Sequence, residues 1–343
     1  MRIVMVSLYF PPKIGGVENI MFGLARQWHE MGHDVTVFTV TPGDDNYGFR
    51  VIRSLSPWAL VRAVKESDIL FEANISLKTW WIGLLNSKKW FVLHHLTYTH
   101  IQRWQEVLKN LLTRFSNNIS ASQYIANTLK GKSAVIPNFF ADEFRRVETI
   151  KKEKDIVFVG RLVSDKGADD LISALIILNT RGIVLSCTII GEGPERDKLM
   201  QLIREAGLEN RVTLKGPMKG AFLVDEINAH KMMVVPSKWP EPFGVVVLEG
   251  LACGCRIVCS SDGGLPESLN GFGLLYPNHE IIALADCIHE ALLAGTFSTN
   301  ETEAVQSYLR TRTATAIADR YLHIFNSKLQ SKSHYMVSAE TYP

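Results

Sequence analysis

Two glutamates, Glu241 and Glu249, mark the densest chemical signal in the sequence. They stand in the segment PSKWPEPFGVVVLE, where an apolar run ends, a loop rich in proline follows, and a helical pattern begins near Gly244. The amides at a helix start have no intrahelical partner and lie at the positive end of the helix dipole, so they can bind a diphosphate. A carboxylate accepts hydrogen bonds from paired hydroxyls, so the two acids can hold polyols on either side of it. A helix acid stabilised only by the dipole is the alternative for Glu249.

Two cations on one loop form a second candidate anion site. In the segment VGRLVSDKG an apolar run leads into a loop that carries Arg161 and Lys166, ahead of another helical pattern. Arginine binds phosphate oxygens through its planar fork and lysine binds them as a point charge, so the pair can neutralise a diphosphate. From the residues alone, a solvated basic loop is the more usual interpretation, because exposed arginine and lysine are commonly solvated surface.

Glycine-rich turns follow two other apolar runs. Gly191, Glu192 and Gly193 precede a proline and a helix, where glycine permits close backbone approach, although a tight structural turn accounts for the pattern equally well. Gly16 lies in the first strand-to-helix turn, in the sequence GGVE. That turn is not the G-x-G-x-x-G fingerprint of dinucleotide-binding folds, which argues against hydride chemistry on this loop.

These motifs together resemble the retaining glycosyltransferases of family 4, the group 1 glycosyl transferases with the GT-B fold. Glu241 and Glu249 match that family's E-x7-E signature, and the surrounding segment, EPFGVVVLEGLACGCRIVCSSDGGLPE, is similar to its donor site. The resemblance implies that Glu241 contacts hydroxyls of the transferred sugar and that Glu249 contacts the ribose of a nucleotide. It also implies that the backbone between them holds the diphosphate, at Phe243, Gly244, Val245 and Val246.

The same resemblance assigns the other motifs. Arg161 and Lys166 match the pattern G-R-x-x-x-x-K-G, whose two cations face the donor diphosphate. Gly16 matches the first loop of the family, which approaches the donor phosphate. The family places a histidine that contacts the donor sugar at the end of the strand WFVLHH, where we favour His94 over the adjacent His95. A purely structural histidine is the alternative. The nucleotide is expected near Gly191, Glu192 and Gly193.

The reaction that follows from this resemblance is sugar transfer from a nucleotide-sugar co-substrate, UDP- or GDP-linked, with retention of anomeric configuration. The sequence has no D-x-D motif to hold a divalent ion on the diphosphate, so we expect no metal and no other cofactor, with Arg161, Lys166 and the helix dipole supplying the positive charge. Two alternatives remain open, a nucleotide-sugar epimerase or isomerase on the same fold and a non-catalytic sugar-binding protein. Donor alone distinguishes the isomerase, because it needs no acceptor.

The elements that must position these residues alternate between strand and helix, which predicts an α/β fold. The resemblance implies the GT-B form of it, in which two Rossmann-like domains face each other across a cleft and a C-terminal helix crosses back to the first domain. The unpatterned charges of 140–155 predict the boundary. We therefore expect an acceptor-side domain at 1–145, a donor-binding domain at 155–317, and the returning helix at about 318–332.

Composition restricts the partners. The chain of 343 residues has a formal net charge of only +2, which gives no strong attraction to nucleic acid. Residues 78–132, however, carry eight basic side chains and one acid. Such a patch can attract an anionic membrane face, and a solvated basic surface is the alternative. If the membrane interpretation holds, the acceptor is a lipid-linked or cell-envelope glycan and the enzyme contacts the inner membrane surface; no acceptor-binding residue is assigned.

Location is predicted from three further features. The apolar run at the start is shorter than that of a signal peptide, and no stretch of eighteen apolar residues could span a membrane. Five cysteines without C-x-x-C spacing indicate reduced thiols, so we expect a cytoplasmic protein, peripheral at most. Tryptophans of the first half are either membrane anchors or core residues, namely Trp58, Trp80, Trp81, Trp90 and Trp104.

Overall fold

The computed structural model describes residues 1–13, 15–44, 46–98 and 103–330. The chain forms two compact units, one made of Met1–Phe139 with the chain from Ala314 onward, and the other made of Phe140–Thr313. Each unit contains a wholly parallel sheet with helices packed against it. The predicted α/β fold of two Rossmann-like domains is therefore confirmed.

The first unit is built on a seven-stranded sheet in the order β3-β2-β1-β4-β5-β6-β7. Its central strands, RIVMV, ILFEA and WFVLH, are mainly apolar, as expected where both faces are covered. The strands are β1 Arg2–Val6, β2 Asp34–Phe38, β3 Arg50–Ile52, β4 Ile69–Ala73, β5 Trp90–His94, β6 Asn117–Ser120 and β7 Ser133–Val135. The helices between them are α1 Gly16–Glu30, α2 Pro57–Glu66, α3 Trp80–Leu85, α4 Trp104–Leu112 and α5 Gln123–Ala126.

The second unit repeats this plan with six strands in the order β10-β9-β8-β11-β12-β13. The strands are β8 Lys154–Val159, β9 Cys187–Ile190, β10 Val212–Lys215, β11 His230–Val235, β12 Arg256–Ser260 and β13 Gly273–Tyr276. The helices are α6 Ala168–Thr180, α7 Arg196–Glu205, α8 Gly220–Asn228, α9 Val245–Ala252, α10 Leu265–Leu269, α11 Ile281–Ala294 and α12 Thr299–Arg310.

The last described helix, α13, spans Ala314–Gln330 and belongs to the first unit. It packs beside α1, where the indole Nε1 of Trp28 donates a hydrogen bond of 3.1 Å to the carbonyl of Ala318. The ring of Phe325 lies 4.7 Å from that of Phe91 and 5.5 Å from that of Trp28. The sequence predicts a helix at about 318–332; it begins four residues earlier, and 331 and 332 lie outside the described residues.

The charged segment after Phe139 is held to the second unit. The side-chain nitrogen of Asn228 donates a hydrogen bond of 2.9 Å to the carbonyl of Arg145. The side-chain oxygen of Asn228 accepts a hydrogen bond of 2.9 Å from the amide of Val147. Lys152 Nζ donates to the carbonyls of Asn228 and His230. The division thus falls after residue 139 rather than after 145, because aperiodic charges here make specific contacts instead of forming a free linker.

The tryptophans of the first unit occupy both core and surface positions. Trp90 is fully buried in the core, whereas 87% of Trp58 and 69% of Trp104 remain exposed. Four of the five cysteines are buried, and Cys287 is partly exposed. Among the described residues, none of the helices by itself combines the length and the hydropathy of a membrane span. Helices α11 and α12 reach that length and hydropathy only when they are taken together, and the chain bends by 117° between them.

Candidate active site

The two anion motifs come together at one edge of the second sheet. β8 and β11 are neighbours, and the strand order reverses between them, so their following loops leave toward opposite faces of the sheet. In open parallel sheets the crevice beyond the carboxyl ends of two such strands is the usual ligand site. The loop at 160–167 follows β8, and the loop at 236–244 follows β11.

These two loops touch through their backbones. Gly167 has a φ of +69°, and a Cβ added there would lie 1.9 Å from the carbonyl oxygen of Pro236, so only glycine fits. The amide of Lys238 donates a hydrogen bond of 2.8 Å to the carbonyl of Asp165. The spacing between the cationic loop and the loop that carries Glu241 is therefore fixed by main-chain contacts.

Lys166 and Glu241 form an ion pair across these loops. The hydroxyl of Ser237 donates a second hydrogen bond, of 2.7 Å, to the same carboxylate oxygen of Glu241. Arg161 is exposed, and no partner for its side chain is found among the described residues. The structure thus brings three of the predicted catalytic residues to one loop cluster, with Arg161 unpaired and Lys166 neutralised by Glu241.

The start of α9 lies directly after Glu241. Gly244 has a φ of +98°, and a Cβ there would lie 2.4 Å from Leu265 Cδ2, which accounts for the glycine. Phe243 is buried, so its contribution to a ligand is restricted to its backbone. Val245 and Val246 open the helix, where first-turn amides lack intrahelical partners. The helix start is thus positioned by packing and offers amides to an anion.

Glu249 lies one turn further along α9 and is half-buried. Burial raises the pKa of Glu249 to about 7, and the nearby charge of Glu143 acts in the same direction. Its carboxyl group has no hydrogen-bond partner among the described residues. A half-buried acid without such a partner can serve a ligand, whereas stabilisation by the macrodipole alone would require it in the first turn.

The predicted GEGP turn follows β9, the strand beside β8. Gly191 and Gly193 have φ values of +149° and +159°, and an added Cβ would overlap the carbonyl oxygens of Gly160 and Leu162. The carbonyl of Glu192 accepts a hydrogen bond of 2.9 Å from the amide of Leu162. Backbone packing against the Arg161 loop therefore accounts for both glycines. The side chain of Glu192 is mostly exposed and lies 3.7 Å from Arg196.

The predicted residues of the first unit have different surroundings. His94 is fully buried, with Nε2 lying 2.9 Å from Asn118 Oδ1 and Nδ1 lying 3.1 Å from the hydroxyl of Tyr98. Nε2 of His95 lies 3.0 Å from Asn138 Oδ1, but its buried Nδ1 has no hydrogen-bond partner among the described residues. Burial lowers the pKa of both histidines to about 4. The sequence favours His94; the geometry instead leaves the unused nitrogen on His95, because both nitrogens of His94 are taken up by an internal network.

Gly16, the other predicted residue of the first unit, occupies the first position of α1. A Cβ added there would meet no atom within 4 Å, so packing does not account for the glycine. This is the opposite of Gly15, where the Cβ would lie 2.3 Å from the carboxylate of Glu18. Gly16 remains a predicted ligand contact.

Sequence reasoning missed a charge network beside the cationic loop. Lys238 Nζ lies 2.9 Å from Asp169 Oδ2 and 2.9 Å from Asp170 Oδ1, in the first turn of α6. Burial acts to lower the pKa of Lys238, but the two carboxylates outweigh it and the pKa is raised. Only the position of Lys238 in the PSKWPE segment signalled its nearness to the site, because its acidic partners lie about seventy positions away.

The assembled cluster suits a ligand that carries both phosphate and hydroxyl groups. Arg161, Lys166 and the α9 amides can neutralise phosphate oxygens, and Glu241 can accept hydrogen bonds from hydroxyls. No group of three metal-ligating side chains is found in the described part of the chain.

Comparisons with known proteins agree on a chemical class. A family model described as Glycosyl transferases group 1 matches residues 140–307. An uncharacterized glycosyltransferase of Methanocaldococcus jannaschii is 30% identical over an alignment covering 82% of this chain and 87% of the relative. A GDP-mannose-dependent alpha-(1-6)-phosphatidylinositol monomannoside mannosyltransferase of Mycobacterium tuberculosis is 24% identical over an alignment that covers 85% of this chain and 89% of the relative. Anabaena HepE in complex with UDP shares the fold, with a TM-score of 0.78 at 21% identity over 95% of this chain and 100% of that one.

Proposed function

This chain belongs to the group 1 glycosyltransferases, and on that premise we propose that it is a retaining enzyme whose second unit binds a nucleotide-sugar donor. The observation that carries the proposal is the ion pair between Lys166 and Glu241, which joins the loop that also carries Arg161 to the loop that leads into α9. In the proposed complex Lys166 and Arg161 bind the diphosphate, and Glu241 accepts hydrogen bonds from the sugar. Glu249 accepts hydrogen bonds from the ribose.

The proposed reaction breaks the bond between the anomeric carbon and the diphosphate oxygen, and the acceptor hydroxyl forms the new bond on the same face. The electron pair of the broken bond leaves on the diphosphate, and the acceptor proton passes to a phosphate oxygen. Charge therefore develops between Arg161 and Lys166, where fixed cations stabilise it more in the transition state than in the ground state.

Arg161→Ala and Lys166→Ala test this assignment. Removing one preorganised electrostatic group commonly costs about 3–4 kcal/mol, so we expect each variant to lose at least about a hundredfold in kcat/KM. The matched control is Arg204→Ala, an exposed arginine at the far end of α7. Turnover near wild type in both variants, with unchanged melting temperatures, would remove the electrostatic basis of the proposal.

The donor is proposed to be UDP- or GDP-linked, which is supported by the GDP-mannose dependence in the name of one relative and by the UDP complex of HepE. Thermal shift with UDP, GDP and a panel of their sugars tests it, because a ligand that binds the native state raises its apparent stability. We expect one nucleotide to stabilise the wild type and to lose this effect in Lys166→Ala. Equal shifts in both proteins would place the nucleotide elsewhere.

We propose that transfer needs neither a metal nor another cofactor. Activity measured after treatment with EDTA should equal untreated activity, and recovery only on adding Mg²⁺ or Mn²⁺ would contradict this.

The anomeric configuration of the product, determined by NMR, tests retention. Incubation with donor alone should give only slow hydrolysis, and an epimerised nucleotide-sugar would identify an isomerase instead.

A peripheral membrane location is also proposed, with the enzyme at the cytoplasmic face and a lipid-linked or cell-envelope glycan as acceptor. Trp104, Val107 and Leu111 occupy one face of α4 and are exposed, and the cations Arg103 and Arg114 flank them. Amphipathic basic helices with aromatic anchors bind anionic lipid surfaces in this way.

Flotation with vesicles of phosphatidylcholine, with and without phosphatidylglycerol, tests the location. We expect binding only with the anionic lipid, and a loss in Trp104→Ala/Leu111→Ala. Trp58→Ala is the matched control, because Trp58 is exposed on another helix. Flotation that does not depend on anionic lipid, or that both variants reduce equally, would contradict the assignment to α4.

A further inference from the structure

Glu241 is anchored through one of its two carboxylate oxygens. Oε1 accepts a hydrogen bond from the ammonium group of Lys166 and another, of 2.7 Å, from the hydroxyl of Ser237. Oε2 makes no hydrogen bond to any other described residue, and 16% of the side chain is exposed. Because a carboxylate accepts hydrogen bonds on both oxygens, Oε2 is available to a ligand while Oε1 is held.

The two donors to Oε1 have different surroundings. Lys166 carries its charge on a flexible stem, and 27% of its side chain is exposed. A diphosphate bound beside Lys166 therefore competes with Glu241 for the ammonium group. Ser237 is only 1% exposed, so a ligand in solvent cannot reach its hydroxyl. Of the two contacts to Oε1, the one from Ser237 is the contact that a bound diphosphate leaves intact.

The main chain at Ser237 is fixed without the help of its hydroxyl. Ser237 lies two positions after β11, and the fully buried Ser260 is the last residue of the neighbouring strand β12. The hydroxyl of Ser260 donates a hydrogen bond of 2.8 Å to the carbonyl of Ser237. The next residue, Lys238, donates its amide to the carbonyl of Asp165. The hydroxyl of Ser237 is therefore free to serve the Glu241 carboxylate.

The main chain at Glu241 is fixed as well. Glu241 pairs with Gly263 in a single parallel β-bridge. A Cβ added at Gly263 would lie 2.5 Å from the carbonyl oxygen of Glu241 and 2.7 Å from its amide nitrogen, so the two segments are in close backbone contact. The backbone does not select one rotamer of a long glutamate side chain, and ordering that side chain costs conformational entropy. The hydrogen bond from Ser237 orders it before a ligand binds.

We propose that Ser237 is a positioning residue for Glu241. Its hydroxyl keeps Oε1 anchored when Lys166 binds the diphosphate, so that Oε2 meets a hydroxyl of the transferred sugar. Such preorganisation raises affinity, because less freedom is lost on binding. Ser237 thus acts on the sugar part of the donor and not on its nucleoside diphosphate. This inference rests on the proposed function, since it takes the ligand of Glu241 to be a sugar.

Calorimetric titration of the full chain with UDP-glucose, UDP-N-acetylglucosamine and GDP-mannose, and with UDP and GDP, tests this role. For the nucleotide-sugar that the wild type binds, Ser237→Ala should weaken affinity about tenfold or more, because the lost hydrogen bond is to a charged group. The affinity for the corresponding nucleoside diphosphate should stay unchanged, because that ligand has no sugar for Glu241 to contact. A merely structural defect of the loop would weaken both ligands.

A double-mutant cycle tests whether Ser237 acts through Glu241. Glu241→Ala alone should weaken the same nucleotide-sugar at least as much as Ser237→Ala does. Adding Ser237→Ala to Glu241→Ala should then cost no further affinity, because the hydroxyl has no carboxylate left to hold. Ser237→Thr keeps a hydroxyl at this position and should retain most of the wild-type affinity.

The matched control is Ser186→Ala. The hydroxyl of Ser186 also donates to a carboxylate, at 2.9 Å to Asp155 Oδ2, but it lies at the amino-terminal edge of the second sheet, directly before β9. Its loss should leave the affinities for both kinds of ligand at their wild-type values. Melting curves of all variants identify any that fail to fold.

The outcomes separate this inference from the proposed function. If the wild type binds none of the nucleotides and nucleotide-sugars, the proposed function fails and this inference fails with it. If the wild type binds them, three results overturn the role of Ser237 while the donor site stands: unchanged nucleotide-sugar affinity in Ser237→Ala, an equal loss for the bare nucleotide, or additive losses in the double variant.

Discussion

At the scale of single residues, the diphosphate site depends on the pairing of nearby acidic side chains as much as on its own cations. Asp169 and Asp170 stand in the first turn of α6, three and four positions after Lys166. Left unpaired, they would repel a diphosphate bound at Lys166. Lys238 contacts both acids and offsets one of their two charges, and Lys198 Nζ lies 4.0 Å from Asp169 as well. Lys238 is a positioning residue for the local field and for the loop that carries Glu241.

Lys238→Met therefore leaves Asp170 without its lysine and Asp169 with only Lys198, which adds net negative charge beside the diphosphate site. We expect donor KM to rise about tenfold, which corresponds to about 1.4 kcal/mol, with a smaller effect on kcat. Adding Asp169→Asn and Asp170→Asn to that variant should restore the donor KM, because the repulsion is then gone. Steady-state kinetics of all three proteins checks this. A defect that the asparagine substitutions do not repair would show that Lys238 acts through loop structure alone.

Glu249 predicts a pH dependence of nucleotide binding. Burial raises its pKa to about 7, and the charge of Glu143 contributes in the same direction, so the group is largely protonated below that pH. The ionised carboxylate is the better acceptor for ribose hydroxyls. The affinity of the preferred nucleoside diphosphate should therefore rise as pH increases to about 7 and then level off. Calorimetric titration between about pH 5.5 and 8 measures this.

The same raised pKa also affects folding. The folded state retains a proton on Glu249 that the unfolded chain loses near its ordinary pKa, so this residue lowers stability as pH rises from about 4.5 toward 7. Glu249→Gln should bind nucleotide weakly and without this pH dependence, and it should gain thermal stability over wild type at pH 8 relative to pH 5. A variant that keeps the wild-type pH profile would assign that profile to another group.

At the scale of elements, close backbone packing sets the geometry of the α9 start. Gly264 precedes α10, and its amide donates a hydrogen bond of 2.7 Å to the carbonyl of Glu241. A Cβ at Gly264 would lie 2.4 Å from the carbonyl oxygen of Pro242 and 2.9 Å from Phe243 Cα, both backbone atoms that cannot turn away. The loop after β12 therefore holds the loop of Glu241 in place.

Gly264→Ala must displace one of these two loops. We expect a loss of stability of about 1–3 kcal/mol, as for other overpacked sites, together with weaker nucleotide binding. Chemical denaturation and calorimetry measure the two effects. Full nucleotide affinity in a folded Gly264→Ala protein would mean that the position of the Glu241 loop does not control the donor site.

The elements show which parts of the molecule the sequence could reveal. Parallel strands such as β1 and β8 were predictable because a continuous apolar run rich in β-branched residues is typical of a strand covered on both faces. The ion pair between Lys166 and Glu241 could not be predicted, because it depends on strand order. The sequence alone does not say that β8 lies beside β11. The sequence favoured His94, whereas the nitrogen without a partner among the described residues lies on His95, for a related reason: His94 ends β5 and His95 follows it, where strand alternation no longer fixes the direction of a side chain.

Surface and core could not be separated by composition either. Trp90 and Trp104 are the same residue type, yet Trp90 is fully buried and Trp104 is mostly exposed. Burial of Trp90 depends on Glu72, which accepts its indole proton, and that contact joins residues eighteen positions apart.

At the scale of the whole molecule, the first unit is closed by residues that come last in the described chain. Phe325 on α13 is fully buried, and its ring contacts those of Trp28, Phe71 and Phe91. The sheet face that these rings cover is formed by strands more than two hundred positions earlier. Stability of the first unit should therefore depend on the end of the described chain.

Phe325→Ala should destabilise the first unit by about 3–5 kcal/mol, the usual cost of truncating a buried phenylalanine. Six of the seven tryptophans lie in the first unit, so intrinsic fluorescence during urea denaturation reports mainly on that unit. The fluorescence midpoint should fall in Phe325→Ala and stay unchanged in His323→Ala, since His323 is exposed on the same helix. Nucleotide binding, assigned to the second unit, should persist at urea concentrations at which the fluorescence of Phe325→Ala has already changed. Loss of both signals at one midpoint would mean instead that the two units unfold as a single cooperative body, and the effect of α13 would then extend to the donor site.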